Sequence, residues 1–481
     1  MRPRLELLDR MLIERMLAEA FELLQSPGVK VETSEARDLL SRAGARVEDD
    51  VAHLPENMVR SALATAPREF FLYDRAGQPV VRYGGDQVHF DPGSSCLNIL
   101  DAETQQARPA QSADLVRLVQ TAEMLPQFSA QSTATVCNDV PSEVGDLYRL
   151  FLVLWYSSKP VVTGAFHAQG LGPMIALVAA DSGSAEQLKE KPRAVFDVCP
   201  SPPLQWSEFA AQNIVELARA GVPAEIISMP MAGATGPVTL AGSVVQHAAE
   251  TLAGITIHQL AQPGAPVVWG GAPAMFDMRS GTTPMGAIET AMLDCACAQV
   301  GKYFGLPTHT YMVATDAKSV DEQAGMESAS SALLGALTGI NMISGAGMLD
   351  SLACHSIEKL VMDAEAIASA QRLLEGITPR GESIALGTFA QTGLRGNFLQ
   401  LKETRDWFRS EQHFPSSVIE RGGVRQDGDI FSRARARAEE LVGAYRRPEI
   451  PPDVERQLRL VVERELDKVG VKTLPGVPCL R

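Results

Sequence analysis

From about residue 129 onward the chain repeats one pattern. Short apolar runs rich in small and β-branched residues alternate with helical stretches. The runs are SAQSTATVC, PVVTGAF, RAVFDVCP, AEIISMPMAG, APVVWGGAP, THTYMVATD and GINMISGAG, and ESIALGTF (382–389) supplies an eighth. Helical segments fall between them at 144–157, 206–220, 238–261, 284–304, 322–337 and 354–375. Runs apolar on both faces suit parallel strands covered by helices. Eight strand–helix units in about 270 residues predict an α/β fold, a (β/α)8 TIM barrel over 126–395, in preference to an open doubly wound sheet.

The flanks read differently. Residues 1–125 predict an α+β extension. LELLDRMLIERMLAEAFELLQ carries a helical apolar stripe, SEARDLLSRAG and PENMVRSALATAP are shorter helices, and EFFLYDRAGQPVVRYGGDQVHF alternates as hairpins do. Residues 396–481 predict a charged C-terminal helical segment that packs on the barrel. Its RARARAEE mixes both signs, as a solvated helix face does.

Charge narrows the partners. Forty-three bases against 58 acids leave −15, so no basic footprint for nucleic acid or an anionic membrane is present. The stretch from Ile226 to Phe276 holds Glu250 as its one acid or base besides two histidines. Five prolines and many glycines divide it into pieces too short to span a bilayer. The seven scattered cysteines form no disulfide framework, and the N-terminus has no signal-peptide core. The expected location is the cytoplasm.

In a barrel, function collects at the C-terminal strand ends. Here those ends are rich in Gly and Ala, poor in acids and bases, and carry Met348, Phe166, Trp269 and Phe276 among their larger side chains. Such glycines serve tight turns or admit a flat ligand to the backbone; both readings stand at this point. Cys295 and Cys297 have no histidine at ligand spacing, so no metal is expected. His355, beside Cys354 near a helix start, suits a packing residue or a base. Neither a nucleotide fingerprint nor a nucleophile elbow occurs. The stretch TYMVATDAKSVDEQAGME (310–327) is the most suggestive. An apolar run ends in Asp316, Lys318, Asp321, Glu322, Gln323 and Glu327. A helix N-terminus accounts for one or two of those acids, but not for Asp316 and Lys318 at the strand end.

Several stretches together resemble the trimethylamine methyltransferase superfamily: FDPGSSCLNILD, WGGAPAMFDMRSGTTPMGAIE, TDAKSVDEQAGME, SGAGMLDSLACHSIEKLVMDAE and NFLQLKETRDWFRSEQHFPSSVIER. The resemblance covers nearly the whole chain. It implies a barrel enzyme that moves a methyl group from a methylated amine to Co(I) of a separate corrinoid (cobalamin) protein, with no cofactor held tightly by this chain and homo-oligomeric assembly. Archaeal trimethylamine enzymes of this kind carry pyrrolysine. This chain is written wholly in the twenty standard residues, and the family's usual His-Thr pair reads Glu403-Thr404. The resemblance therefore points to the members without pyrrolysine, which act on quaternary amines such as betaines.

A quaternary ammonium leaves as a neutral amine, so no general acid is required. The site need only position and enclose the cation, for which aromatic faces contribute about 0.5–2 kcal/mol each. Phe166, Trp269 and Phe276 are candidates for that cage or for core. Arg279, Lys318, His355 and the backbone at Gly345 and Ala346 are candidates to hold a substrate carboxylate, with Met348 beside them. Asp316, Lys318, Asp321 and Glu327 form the expected catalytic set. Trimethylamine or another methylated compound as substrate, a Schiff-base aldolase or decarboxylase built on Lys318, and a non-catalytic binder of quaternary amines are the rival readings.

Overall fold

The computed structural model describes residues 2–167, 169–381, 383–422, 428–471 and 475. Among them eight parallel strands form one sheet: β1 (His89–Pro92), β2 (Gln131–Ser132), β3 (Val161–Gly164), β4 (Ala194–Val198), β5 (Ala224–Ser228), β6 (Val267–Gly271), β7 (Thr308–Tyr311) and β8 (Met342–Ala346). Sheet order follows chain order from β2 to β8, and β8 pairs with β1. The last seam is closed by Ser129 N–H on the Phe90 carbonyl (2.9 Å) and Ser95 N–H on the Thr133 carbonyl (3.0 Å). A helix follows each strand: α1 (Ser112–Glu123), α2 (Ser142–Tyr156), α3 (Leu171–Ser182), α4 (Glu208–Ala220), α5 (Leu240–Ala261), α6 (Ile288–Tyr303), α7 (Glu322–Thr338) and α8 (Ile357–Glu375). This is the (β/α)8 barrel.

One strand lies elsewhere than the sequence reading put it. Of the run 382–389, residue 382 is outside the described residues. The remainder is no strand, since Leu386–Thr392 is a helix with no buried residue. A barrel strand must bury both faces, yet Ile384, Leu386 and Phe389 are all exposed. The eighth strand is β1, drawn from the stretch expected to form the N-terminal extension, so the barrel begins before residue 126. Asp91 in its centre breaks the apolar run that marks the other strands.

The hairpin Phe70–Tyr73/Pro79–Tyr83 plugs the N-terminal end. Its Leu72, Val81 and Tyr83 pack on Val162, Val195, Val268 and Met342 of the barrel interior. Helices Arg10–Gln25, Ser34–Arg42 and Glu56–Thr65 lie on α5, which explains why α5 is buried at every position from Ser243 to Gln259. Helix Ile430–Ala444 packs on α8, and Pro452–Val469 on α2 and α3. A four-stranded sheet formed by Asn98–Leu100, Ala107–Pro109, Met348–Leu349 and Cys354–His355 flanks the C-terminal ends of β1 and β8. Among the described residues no helix is long and apolar enough to cross a membrane.

Candidate active site

A cavity of about 400 Å³ opens at the C-terminal mouth. Its walls are mostly apolar, with Phe166, Phe209, Ile227, Met229 and Met348 among them, and Asp197 and Tyr311 supply polar groups. Cavities of this size suit a small ligand, with few polar groups fixing its orientation.

Below Asp197 and Tyr311, the barrel interior holds charge. Asp197 on β4, Glu225 on β5, His309 on β7, Ser344 on β8 and Asp91 on β1 alternate along their strands with residues packed against helices, so all five point inward. The Tyr311 hydroxyl donates to Asp197 Oδ2 (2.8 Å), and the Tyr83 hydroxyl rises from the plug to Glu225 Oε1 (2.5 Å). Ser344 Oγ donates to Asp91 Oδ1 (2.5 Å) and meets His309 Nε2 at 2.8 Å. His309 Nδ1 faces Glu225 Oε2 at 3.3 Å.

Burial disfavours charge throughout this group. It pushes the Asp197 carboxyl up to about 6, and the Glu225 and Asp91 carboxyls well above their usual range. It lowers His309 to about 3, so that ring is neutral. Asp197 and Glu225 act on each other, and two carboxyls in such contact keep one proton between them near neutral pH. The barrel thus contains an acid, contrary to the expectation drawn from its sparsely charged strand ends. It sits within the strands rather than at their ends.

The rim stretch 316–327 is organised for a different purpose. The Asp316 carboxylate accepts from Met285 N–H (2.7 Å), Gly286 N–H (3.1 Å) and the Ser351 hydroxyl (2.7 Å). It therefore ties together the loops after β6, β7 and β8. Glu327 accepts from the Thr315 hydroxyl, Asp316 N–H (2.9 Å) and Gln323 Nε2 (2.9 Å). A Cβ on Gly286 would lie 2.2 Å from its Oε2, so a larger residue there would displace the Glu327 carboxylate. Asp321 is the N-cap of α7, accepting from Ala324 N–H at 3.1 Å. Lys318 is 83% exposed, with Asp350 at 3.8 Å. None of these four lines the cavity.

The residues expected to hold substrate are spread over the molecule. Phe166 and Met348 line the cavity. One face of the Phe166 ring lies against the buried Arg149 guanidinium, 4.7 Å from the ring centre, and the residue is 57% exposed. Trp269 is turned away from the mouth. Its ring packs beside Gly301 of α6, between His247 and Phe304. Phe276 is half-buried in the loop after β6, with its N–H on the Ala232 carbonyl (3.1 Å). Arg279 is 92% exposed and paired with Asp277. Gly345 and Ala346 complete β8; at Gly345, with φ +119°, a Cβ would lie 2.0 Å from the Met312 carbonyl oxygen. His355 is fully buried against Gly347, and burial lowers it to about 3. Cys295 and Cys297 are both buried in α6.

The sequence reading passed over Asp91, Asp197, Glu225, His309 and Tyr311. The signal was present in the quoted runs. RAVFDVCP, AEIISMPMAG and THTYMVATD each carry an ionisable residue inside a strand apolar on both faces. In a parallel barrel such a position has no solvent to face, so the side chain must point at the interior or at a helix.

A parallel barrel with a cavity at its C-terminal mouth and perturbed ionisable groups beneath it is the architecture of a barrel enzyme. Residues 1–470 match the family described as trimethylamine methyltransferase (MTTB), and the chain belongs to that family. It is 34% identical over 415 residues to trimethylamine methyltransferase MttB of Methanosarcina thermophila, covering 83% of each chain. It is 30% identical over 458 residues to trimethylamine methyltransferase MttB of Desulfitobacterium hafniense (94% of this chain, 92% of the relative). It is also 28% identical over 475 residues to a glycine betaine methyltransferase of the same species, covering 97% of this chain and 98% of the relative.

Proposed function

We propose that this methyltransferase takes a methyl group from a betaine-type quaternary amine and delivers it to Co(I) of a separate cytoplasmic corrinoid protein. The observation that carries the reading is the apolar-walled cavity at the C-terminal mouth. Phe166, Phe209, Ile227, Met229 and Met348 surround a space that suits a trimethylammonium head, with Asp197, Asn213 and Tyr311 among its few polar groups. The end-to-end likeness to a glycine betaine methyltransferase supports it.

The chemistry asks little of the chain. The methyl carbon passes to the cobalt nucleophile, the C–N bond electrons stay on nitrogen, and the amine leaves neutral. The protein's part is to hold one methyl group facing out of the mouth and to exclude water around the cation. Positioning of this kind contributes most of the rate when no proton need move. The rim loops tied by Asp316 shape the mouth that the acceptor protein must approach. Assembly with further copies of the chain belongs to the same reading.

The acid pair supports a second substrate class. A tertiary amine leaves as an unstable anion unless protonated, and Asp197 with Glu225 holds a proton beside the cavity. Trimethylamine, for which two of the relatives are named, is then the alternative substrate. Mixing the protein with reduced corrinoid protein and following methylcobalamin formation across betaines, carnitine and methylamines separates the two. Turnover with a betaine and little with trimethylamine is expected. Equal turnover of trimethylamine and every betaine contradicts the proposal, and betaine binding without transfer favours a sensor.

A further inference from the structure

We propose that Asp197, Glu225 and His309 are the three protein ligands of a divalent transition-metal ion, seated beneath the cavity with its remaining coordination positions turned toward it. Three buried atoms lack a hydrogen-bond partner at this point: Asp197 Oδ1, Glu225 Oε2 and His309 Nδ1. One ligand atom from each of these residues lies within 4.8 Å of the others, and among the described residues no other set of three His, Cys, Asp or Glu converges in this way. Glu225 and His309 are 0% and 1% exposed. A buried polar atom without a partner costs about 1–3 kcal/mol, so three in one place call for an occupant.

The opposite atom of each side chain is already engaged. Tyr311 holds Asp197 Oδ2, Tyr83 holds Glu225 Oε1, and Ser344, backed by Asp91, holds His309 Nε2. Metal ligands are oriented in this manner by a surrounding layer of hydrogen bonds. The chain also sets the histidine tautomer. Ser344 gives its proton to Asp91, so its oxygen receives the Nε2 proton and leaves Nδ1 as a lone pair. A lone pair 3.3 Å from a carboxylate oxygen is repelled unless a proton or a cation lies between them. One proton satisfies one pair of the three atoms and leaves the third without a partner. A metal ion satisfies all three. Two ligands of a common zinc ion, each about 2.1 Å from it, stand roughly 3 Å apart or slightly more, as Nδ1 and Oε2 do.

The donor set selects the ion. Magnesium prefers oxygen and water ligands. Two carboxylates with one imidazole and an open position match zinc in sites that bind a further ligand. This reverses the expectation of no metal, which rested on the absence of sequence-local ligand spacing. The ligands come from three different strands, β4, β5 and β7, and share no motif. With two carboxylates the metal centre carries no net charge, so it does not repel an ammonium group nearby. Its open position suits a carboxylate oxygen. That last point alone rests on the betaine reading; the metal site does not.

The test is metal content of the full chain purified from zinc-supplemented cultures, followed by Co²⁺ replacement. About one zinc per chain should survive dialysis in the wild type. Glu225→Gln and His309→Ala should each retain less than about a tenth of that, while Tyr311→Phe keeps the metal with affinity lowered about 10–100-fold. The Co²⁺ protein should show visible d–d absorption that changes when glycine betaine is added. Zinc content no higher in the wild type than in a Glu225→Gln variant of equal circular dichroism and melting temperature overturns the proposal, and a shared proton then fills the site. Metal bound without methyl transfer to any corrinoid protein upholds the site and defeats the proposed function. Transfer by a metal-free wild type does the reverse.

Discussion

Two groups of charged residues, the rim stretch 316–327 and the barrel interior under the cavity, differ in what their polar atoms do. At the rim the atoms are satisfied. Asp316 and Glu327 between them accept from three backbone N–H groups and three side chains, and Asp321 caps a helix. In the interior, Asp197, Glu225 and His309 each hold one atom in a hydrogen bond and leave the other without one. Satisfied groups hold a fold together. Buried groups with an unsatisfied atom aimed at a common point are available to something else. Clustering of charge in sequence identified the first kind and gave no hint of the second.

Substitutions can break this contrast, beginning with the most damaging. Lys359 and Asp363, a buried ion pair 2.5 Å apart on α8, are structural in the same way: Lys359 also donates to the Val313 carbonyl and Ser328, and Asp363 Oδ2 also accepts from Gly347 N–H, although its Oδ1 has no partner. Lys359→Met should destabilise the protein by about 3–5 kcal/mol by leaving Asp363 buried and alone. Lys359→Met/Asp363→Leu should recover much of that, as urea unfolding would show. A destabilisation under 1 kcal/mol would mean that burial does not expose the unpaired charge.

The interior predicts the opposite separation. Asp197→Asn should lower methyl transfer by on the order of 100-fold, about 2.7 kcal/mol of transition-state energy. In the metal-free protein its melting temperature should stay level or rise, because a buried carboxyl with an unpartnered oxygen has been replaced by a neutral group. Loss of stability in proportion to loss of rate would class Asp197 with the rim.

Smaller effects sharpen the rim. Asp321→Ala removes a helix cap and should cost about 1 kcal/mol of stability, with the transfer rate of the folded protein unchanged. Lys318→Ala, an exposed residue 3.8 Å from its partner, should fall within about 0.5 kcal/mol of the wild type and retain full activity. A dead Lys318→Ala enzyme that is folded would restore the reading of the rim as catalytic.

Much of the fold was legible because its signal is periodic. Seven of the eight strands coincide with the apolar runs, and six of the barrel helices with the helical segments between them; Leu171–Ser182 is not among those segments. The eighth, β1, escaped notice because Asp91 interrupts it, while 382–389 is apolar enough to imitate a strand. The site was less legible for a physical reason. Glu225 and His309 are separated by 84 positions, and only barrel closure brings them to 3.3 Å. Trp269 and Phe166 show the same limit. The sequence places both near strand ends, yet Trp269 is the middle residue of β6 and packs against α6, while Phe166 follows β3 and faces the cavity; which way such an aromatic turns depends on its place in the pleat.

On the proposed function, substrate binds in the cavity above Asp197 and not at the charged rim. A crystal structure of the protein soaked with glycine betaine tests this directly. Ligand density is expected between Phe166, Met229 and Tyr311, with one methyl group facing the mouth. Density beside Lys318 and Asp350, with the cavity holding only water, would contradict it.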